Sequence, residues 1–164
     1  IASEICLLQK NFGGILGVED AWLILRGMKT MGLRMEKSVV NAISLTKYLE
    51  QHAKIKKVYY PHLESCKFYD IHTEQASSGG AVFSFEFFEQ ADLKAFLKKI
   101  KIPIYAVSLG GVESIISHPA TMSHACMSEE ERLAQGVTQT LLRFSCGVED
   151  TEDLIEDLEQ ALAD

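Results

Sequence analysis

The chain has 164 residues, 47% of them apolar and 24% charged, and its 16 basic and 23 acidic side chains give a formal net charge of −7. This size can bury a substantial core in one domain, or in one domain with a short arm, and the balance is that of an ordinary globular protein, not a disordered, collagenous or coiled-coil chain. No apolar run approaches the ~18 residues of a membrane span, the acid excess argues against nucleic acid as a partner, and no basic-then-apolar leader opens the sequence.

Residues 1–17 are broken by Gly13, Gly14 and Gly17 and read as a short helix or arm carrying Leu7 and Leu8. The first residue is Ile1 and not Met, so the chain is expected to belong to a longer one. In VEDAWLILRGMKT, Glu19 or Asp20 is placed to cap a helix N-terminus, and Trp22, Leu23, Leu25 and Met28 give a wide apolar face. From Arg34 to His52, Val39, Ala42, Ile43 and Leu49 recur at helical spacing, which predicts one long helix. KIKKVYYP (54–61) reads as a strand closed by Pro61, and 62–79 as a polar loop with a single helical turn.

GAVFSFEFF (80–88) is an alternating strand, with Phe83, Phe85 and Phe87 on one face and Val82, Ser84 and Glu86 on the other. QADLKAFLKKI (90–100) is an amphipathic helix with Leu93, Phe96, Leu97 and Ile100 inward. IYAVSLG (104–110) and VESIISH (112–118) read as two strands. SEEERLAQ (128–135) opens a helix with a Ser128–Glu131 capping box. QTLLRFSCG (139–147) is a strand. EDTEDLIEDLEQALA (149–163) is a helix with Leu154, Ile155, Leu158, Ala161 and Leu162 in one stripe and its acids in solvent. The pattern predicts an α+β fold: a small, mostly antiparallel sheet with helices packed on one face, preceded by a long linking helix.

Few residues in this pattern suggest chemistry. Cys6, Cys66, Cys126 and Cys146 are far apart and lack metal-type spacing, so they read as reduced thiols in a cytosolic protein, with Cys146 packed as a small hydrophobe. No HExxH, GxSxG or Gly-rich phosphate loop is present, so no metal is expected; His118 and His124, beside Ser117 and Ser123, read as loop residues that bond backbone. SLTKY (44–48) looks like a Schiff-base lysine segment, but Lys47 sits inside a periodic helix, whereas such a lysine needs burial or a neighbouring cation. Arg143 stands in the apolar strand LLRFSCG, where an unpaired charge is costly. Its planar fork suits either an internal salt bridge or a bidentate carboxylate ligand.

Five strings carry a resemblance: DAWLILRGMKT (20–30), the Arg34-Met35 and Asn41-Ala42 pairs, VYYPHL (58–63), SLGGVESIISHPATMSHA (108–125) and LLRFSCGVEDTEDLIEDLEQAL (141–162). In order and spacing the chain resembles the C-terminal part of the Cys/Met-metabolism enzymes that depend on pyridoxal 5'-phosphate (PLP), the transsulfuration group of cystathionine γ-synthase, cystathionine γ- and β-lyases and methionine γ-lyase. The resemblance implies the C-terminal domain of a fold-type I PLP enzyme, with residues 1–30 as arm and linker from a PLP-binding large domain and 31–164 as a substrate-carboxylate domain.

The resemblance implies that Arg143 binds the substrate α-carboxylate, helped by Ser108 and the Leu109 backbone, and it tips the two readings of Arg143 toward the ligand. It implies more weakly that Glu113 faces the distal end of the substrate. Cofactor-binding and catalytic residues have no match here, so PLP would be held by the large domain and act there as an electron sink. The intact enzyme would be a cytoplasmic homotetramer acting on a small amino acid such as cystathionine, cysteine, methionine or a homoserine ester. SLGGVES leans toward the γ-type members. The alternative is a non-catalytic α+β module that binds a partner or itself through Leu7, Leu8, Ile15 and Leu16. Ser38, where the family often has His, and the short 62–79 loop depart from the family pattern.

Overall fold

The computed structural model describes residues 1–163, and the chain divides into two compact units, Ile1–Leu33 and Arg34 onward. The first unit holds α1 (Ala2–Phe12) and α2 (Val18–Met28), and neither helix buries a residue. Gly13, at φ 86°, ends α1 in a conformation that costs glycine little. The helix α2 begins after Gly17 with no side-chain cap. Glu19 and Asp20, read from sequence as the cap, lie in the first turn, where they face the positive end of the helix dipole. Arg26 lies over the Trp22 ring at 5.6 Å. The long helix α3 (Met31–Glu50) begins in this unit and continues into the next.

The second unit contains β1 (Ile55–Tyr59), α4 (Tyr69–Gln75), β2 (Val82–Phe87), α5 (Gln90–Lys99), β3 (Ile104–Tyr105), β4 (Ile115–Ser117), α6 (Glu129–Ala134), β5 (Leu141–Ser145) and α7 (Thr151–Leu162), with a 3-10 turn at Pro119–Thr121. The sheet order is β1-β2-β5-β4-β3, antiparallel except for β3 against β4. The fold is therefore α+β with a mostly antiparallel sheet, as the periodicities predict.

Alternation puts Phe83, Phe85 and Phe87 of β2, with Leu142 and Phe144 of β5, into the core. Phe83 stacks on Phe144 at 5.2 Å between ring centroids, and Phe85 and Phe87 meet Phe96 of α5 at 6.0 and 5.4 Å. Ala42, Leu45 and Leu49 of α3 and Leu154, Leu158 and Leu162 of α7 complete this helix-covered face. The exposed edge strand β1 carries Lys56 and Lys57 beside a register shift, both devices that hinder a further strand from pairing there.

Four further details differ from the sequence expectation. Segment 62–79 contains the seven-residue helix α4, not a single turn. The strand expected over 104–110 shrinks to Ile104–Tyr105, because the ladder ends with the Ala106 N–H on the Ile116 carbonyl and the chain turns away through Gly110 and Gly111. On the face read as polar, Glu86 is only 3% exposed. It accepts bonds from Thr138 at 2.7 Å and Tyr59 at 3.2 Å and pairs with Lys56 at 3.3 Å. Within the acidic face of α7, Asp157 is buried and accepts the Lys101 and Ile102 N–H groups at 3.0 and 2.8 Å, so it caps the segment leaving α5.

Burial alone would raise the Glu86 pKa, but the bonds from Thr138, Lys56 and Tyr59 outweigh it and hold the carboxyl below its usual value of 4.5. A carboxyl depressed in the folded state stabilises the fold above its unfolded pKa, and that contribution is lost as pH falls through the folded value. Urea unfolding should therefore show a falling midpoint below pH ~4.5, with Glu86→Gln less stable at pH 7 and less steep in that acid range. An equal acid slope in wild type and variant would remove Glu86 from this account.

Candidate functional site

Strand β5 points Leu142 and Phe144 into the core, so Arg143 and Ser145 project from the opposite face. Arg143 pairs in register with Ser84 of β2 and Ser117 of β4. Two short side chains therefore flank the guanidinium and leave room over the sheet for it. Arg143 is half-buried, and its Nη2 donates to the Ser108 carbonyl at 2.7 Å. Among the described residues no Asp or Glu forms an ion pair with it. A guanidinium has five N–H donors in a rigid fork, so the remaining ones can grip a carboxylate in a bidentate way.

The loop between β3 and β4 meets this face. Ser108 has φ 123°, and it is the sole non-glycine residue with positive φ among the described residues. Two residues on, the Gly110 N–H donates to Ser145 Oγ at 2.9 Å. At the end of the loop, Ser114 gives its N–H and its hydroxyl to the Glu149 carboxylate, the hydroxyl at 2.8 Å, while Ser114 Oγ accepts the Gly147 N–H at 2.9 Å. The Val148 N–H donates to the Val112 carbonyl at 2.8 Å. Glycine is required at 147, since a Cβ there would overlap the Val112 carbonyl oxygen and the Glu113 backbone.

This bracing reaches α3. Fully buried Asn41 donates through Nδ2 to the Gly147 and Glu149 carbonyls at 3.0 and 2.9 Å, and its Oδ1 accepts the Thr151 hydroxyl at 2.6 Å. Lys37 Nζ donates to the same hydroxyl at 3.0 Å. A single amide thus joins α3, the β5–α7 turn and the first turn of α7.

Arg143 and Ser108 meet, through the serine carbonyl. Leu109 is exposed in the same loop. Glu113 is exposed, with its carboxylate folded over Gly111, where a Cβ would lie 2.6 Å from Oε1. Lys47 stands exposed on α3. The His118 ring spans Thr121 Oγ1 at 2.8 Å and the Gln139 carbonyl at 3.1 Å, as expected of a loop histidine, and the His124 ring lies beside Ser123 Oγ. Cys146 is buried, and burial, reinforced by Glu149, pushes its thiol pKa well above the usual range. Ser145 and Glu149 were not singled out from sequence, and Asn41 was noted there only in the Asn41-Ala42 pair, without a role. Ser145 lies on the Arg143 face by simple alternation, which is the one signal that pointed to it.

Sheets and helices in this arrangement occur in solved PLP-dependent enzymes. The crystal structure of cystathionine γ-lyase from Lactobacillus plantarum complexed with L-serine superposes with a TM-score of 0.89 at 36% identity, over 98% of this chain and 42% of that one. The chain belongs to the Cys/Met metabolism PLP-dependent enzyme family, whose model matches residues 1–163. It is 46% identical to the cystathionine β-lyase of Bacillus subtilis over 162 residues, covering 99% of this chain and 42% of that protein. It is 45% identical to the L-methionine γ-lyase of Fusobacterium nucleatum subsp. polymorphum over 158 residues, covering 94% and 40%. The chain thus spans about two fifths of the length of the relatives it matches.

Lys47 does not have the surroundings of a cofactor lysine. A lysine that holds such a cofactor needs a dry, enclosed position, whereas Lys47, the one in the SLTKY string, is exposed on a helix.

Asn41→Ala removes two donated bonds and one accepted bond from a fully buried site. It should cost about 2–4 kcal/mol in denaturant unfolding. A loss below ~1 kcal/mol would show that the three bonds contribute no more than a surface contact.

Proposed function

We propose that this chain is the C-terminal, substrate-carboxylate part of a PLP-dependent carbon–sulfur lyase or transsulfuration enzyme, and that Arg143 takes the α-carboxylate of a small amino acid. The observation that carries the reading is a half-buried guanidinium, set into an apolar strand, with one bond to the Ser108 carbonyl and no acidic partner among the described residues. A charge in that position gains most from a carboxylate ligand, because bidentate, charge-assisted bonds offset the loss of water.

On this reading Ser108 and the Leu109 backbone border the ligand position, and Glu113, exposed in the same loop, faces the distal end of a longer substrate. Holding the carboxylate at one fixed point orients the rest of the amino acid, including its Cα–H bond, relative to groups outside this chain. The substrate class is cystathionine, cysteine, methionine or a homoserine ester. The relatives include both a β-lyase and a γ-lyase, so the proposal covers carbon–sulfur chemistry at either position. PLP is held by the rest of a longer polypeptide, the chain alone is inactive, and the intact enzyme is a cytoplasmic homotetramer.

A second reading has its own support. The first unit exposes Leu7, Leu8, Leu16, Trp22, Leu23 and Leu25, more apolar surface than an isolated soluble piece usually presents. On that reading the chain is a module that associates with itself or a partner and has no part in catalysis.

In a polypeptide extended to the length of its relatives, Arg143→Ala should raise KM steeply and lower kcat/KM by ~10²-fold, as losing a charge-assisted pair of a few kcal/mol requires. An unchanged kcat/KM would exclude the carboxylate role and favour the association module. Adding PLP separates the readings independently: a visible absorption band should form only with the extended polypeptide, and one formed by this chain alone would reinstate Lys47 as the cofactor lysine.

A further inference from the structure

The Ser108–Gly110 segment is an arch with both feet on β5. One foot is the Ser108 carbonyl on Arg143 Nη2, and the other is the Gly110 N–H on Ser145 Oγ. Arg143 and Ser145 are two residues apart on one strand and so project from the same face about 7 Å from each other. That spacing matches a three-residue arch. Beyond it, Glu149 holds Ser114 at the far end of the loop.

The arch is not in a relaxed conformation. Ser108 carries a side chain at φ 123°, in backbone space that L residues avoid and that persists only where the surroundings impose it. Arg143 cannot be the sole restraint, because its long side chain follows the carbonyl wherever the carbonyl goes. Ser145 differs: it has one rotatable side-chain bond on a rigid strand, it is only 1% exposed, and its oxygen fixes the peptide that follows Leu109.

We infer that Ser145 is a positioning residue for the carboxylate site: it clamps Gly110, forces Ser108 into its left-handed conformation, and so aims the Ser108 carbonyl at Arg143 to fix which edge of the guanidinium is left for a ligand. The inference rests on the reading of Arg143 given above. Glu149 supports the same loop from its other end. Without the Ser145 bond, Ser108 relaxes toward ordinary φ, its carbonyl turns away, and the guanidinium samples orientations unsuited to the ligand.

The test uses the extended polypeptide loaded with PLP and L-cystathionine as substrate. Ser145→Ala should raise KM about tenfold, the size of one lost positioning bond, with kcat within about twofold of wild type. Ser145→Cys, which keeps a one-atom side-chain tip, somewhat larger than the hydroxyl, but is a weak acceptor, should do the same and serves if the alanine variant fails to fold. The decisive comparison is made in a Ser108→Gly background, where φ 123° is no longer strained. There Ser145→Ala should raise KM by no more than about threefold, since the clamp has less strain to hold, and the two positions should couple in a double-mutant cycle. Deuterium uptake across 106–114 should also quicken in Ser145→Ala and less so in the double variant. Equal KM effects in both backgrounds, or an unchanged KM, would overturn the inference. Arg143→Ala, measured alongside, keeps the two ideas apart. An unchanged KM there removes the carboxylate reading itself, whereas a raised KM there with none in Ser145→Ala removes only the role of Ser145.

Discussion

A positive charge placed in an apolar sheet must be compensated, and how Arg143 is compensated governs the rest of this site. Its neighbours in register are Ser84 and Ser117, neither of which carries charge. Its one bond among the described residues is to a carbonyl, which satisfies a donor but does not neutralise the cation. The contrast with Glu86, on the same face of the sheet, is instructive. That buried acid is fully answered within the chain, by Thr138, Tyr59 and Lys56. One charged group on this face is thus closed off as structure, and the other is held open. A fold that needed Arg143 only for stability would be better served by a hydrophobic residue in its place.

Keeping a cation open in a fixed place requires rigidity around it, and the rigidity comes from polar groups whose partners lie far away in sequence. Asn41 lies 106 positions from Gly147 and 108 from Glu149, and Ser114 lies 35 from Glu149. These bonds do not follow from any local propensity. They form because α3, β5 and α7 share one core, and that core brings the end of β5 against the loop before β4. The hydrophobic face of the sheet therefore sets the geometry of its polar face. Leu142 and Phe144 lock β5 in register, and by alternation the same register aims Arg143 and Ser145.

This division explains what could be read from the sequence. The strands and helices that bury apolar residues in regular periods were legible: the three phenylalanines of β2, the stripe of α7, the Ser128 capping box. Arg143 was legible as an oddity, a charge in a greasy strand. Less legible was α4, which buries no residue and so has little apolar periodicity to reveal it. The strand expected over 104–110 ends at Tyr105, where its ladder with β4 runs out, and beyond it Ser108 takes a positive φ that no residue-type rule assigns to serine. Asp157 and Glu149 were hidden in an acidic run in which every carboxylate looks alike until the backbone N–H groups it meets are known. Asn41 sat beside Ala42 in a helical stripe, and only its complete burial shows that its amide serves three partners.

On the proposed reading, the arginine also limits what this part of the protein can decide. Every α-amino acid presents the same carboxylate, so a guanidinium that anchors it contributes equally to substrates that differ only at their far ends. Discrimination has to come from groups that touch the variable end. Within this chain the position suited to that is Glu113, exposed at the outer side of the same loop, its carboxylate resting over Gly111. The absence of a Cβ at 111 lets that side chain fold inward, and an alanine there would push a flexible carboxylate outward without disturbing the backbone. A single loop would then serve two purposes through different parts of its length. Its clamped arch, Ser108 to Gly110, holds what all substrates share, and its freer shoulder at Glu113 can vary between relatives that cleave different bonds without loosening the grip on the carboxylate.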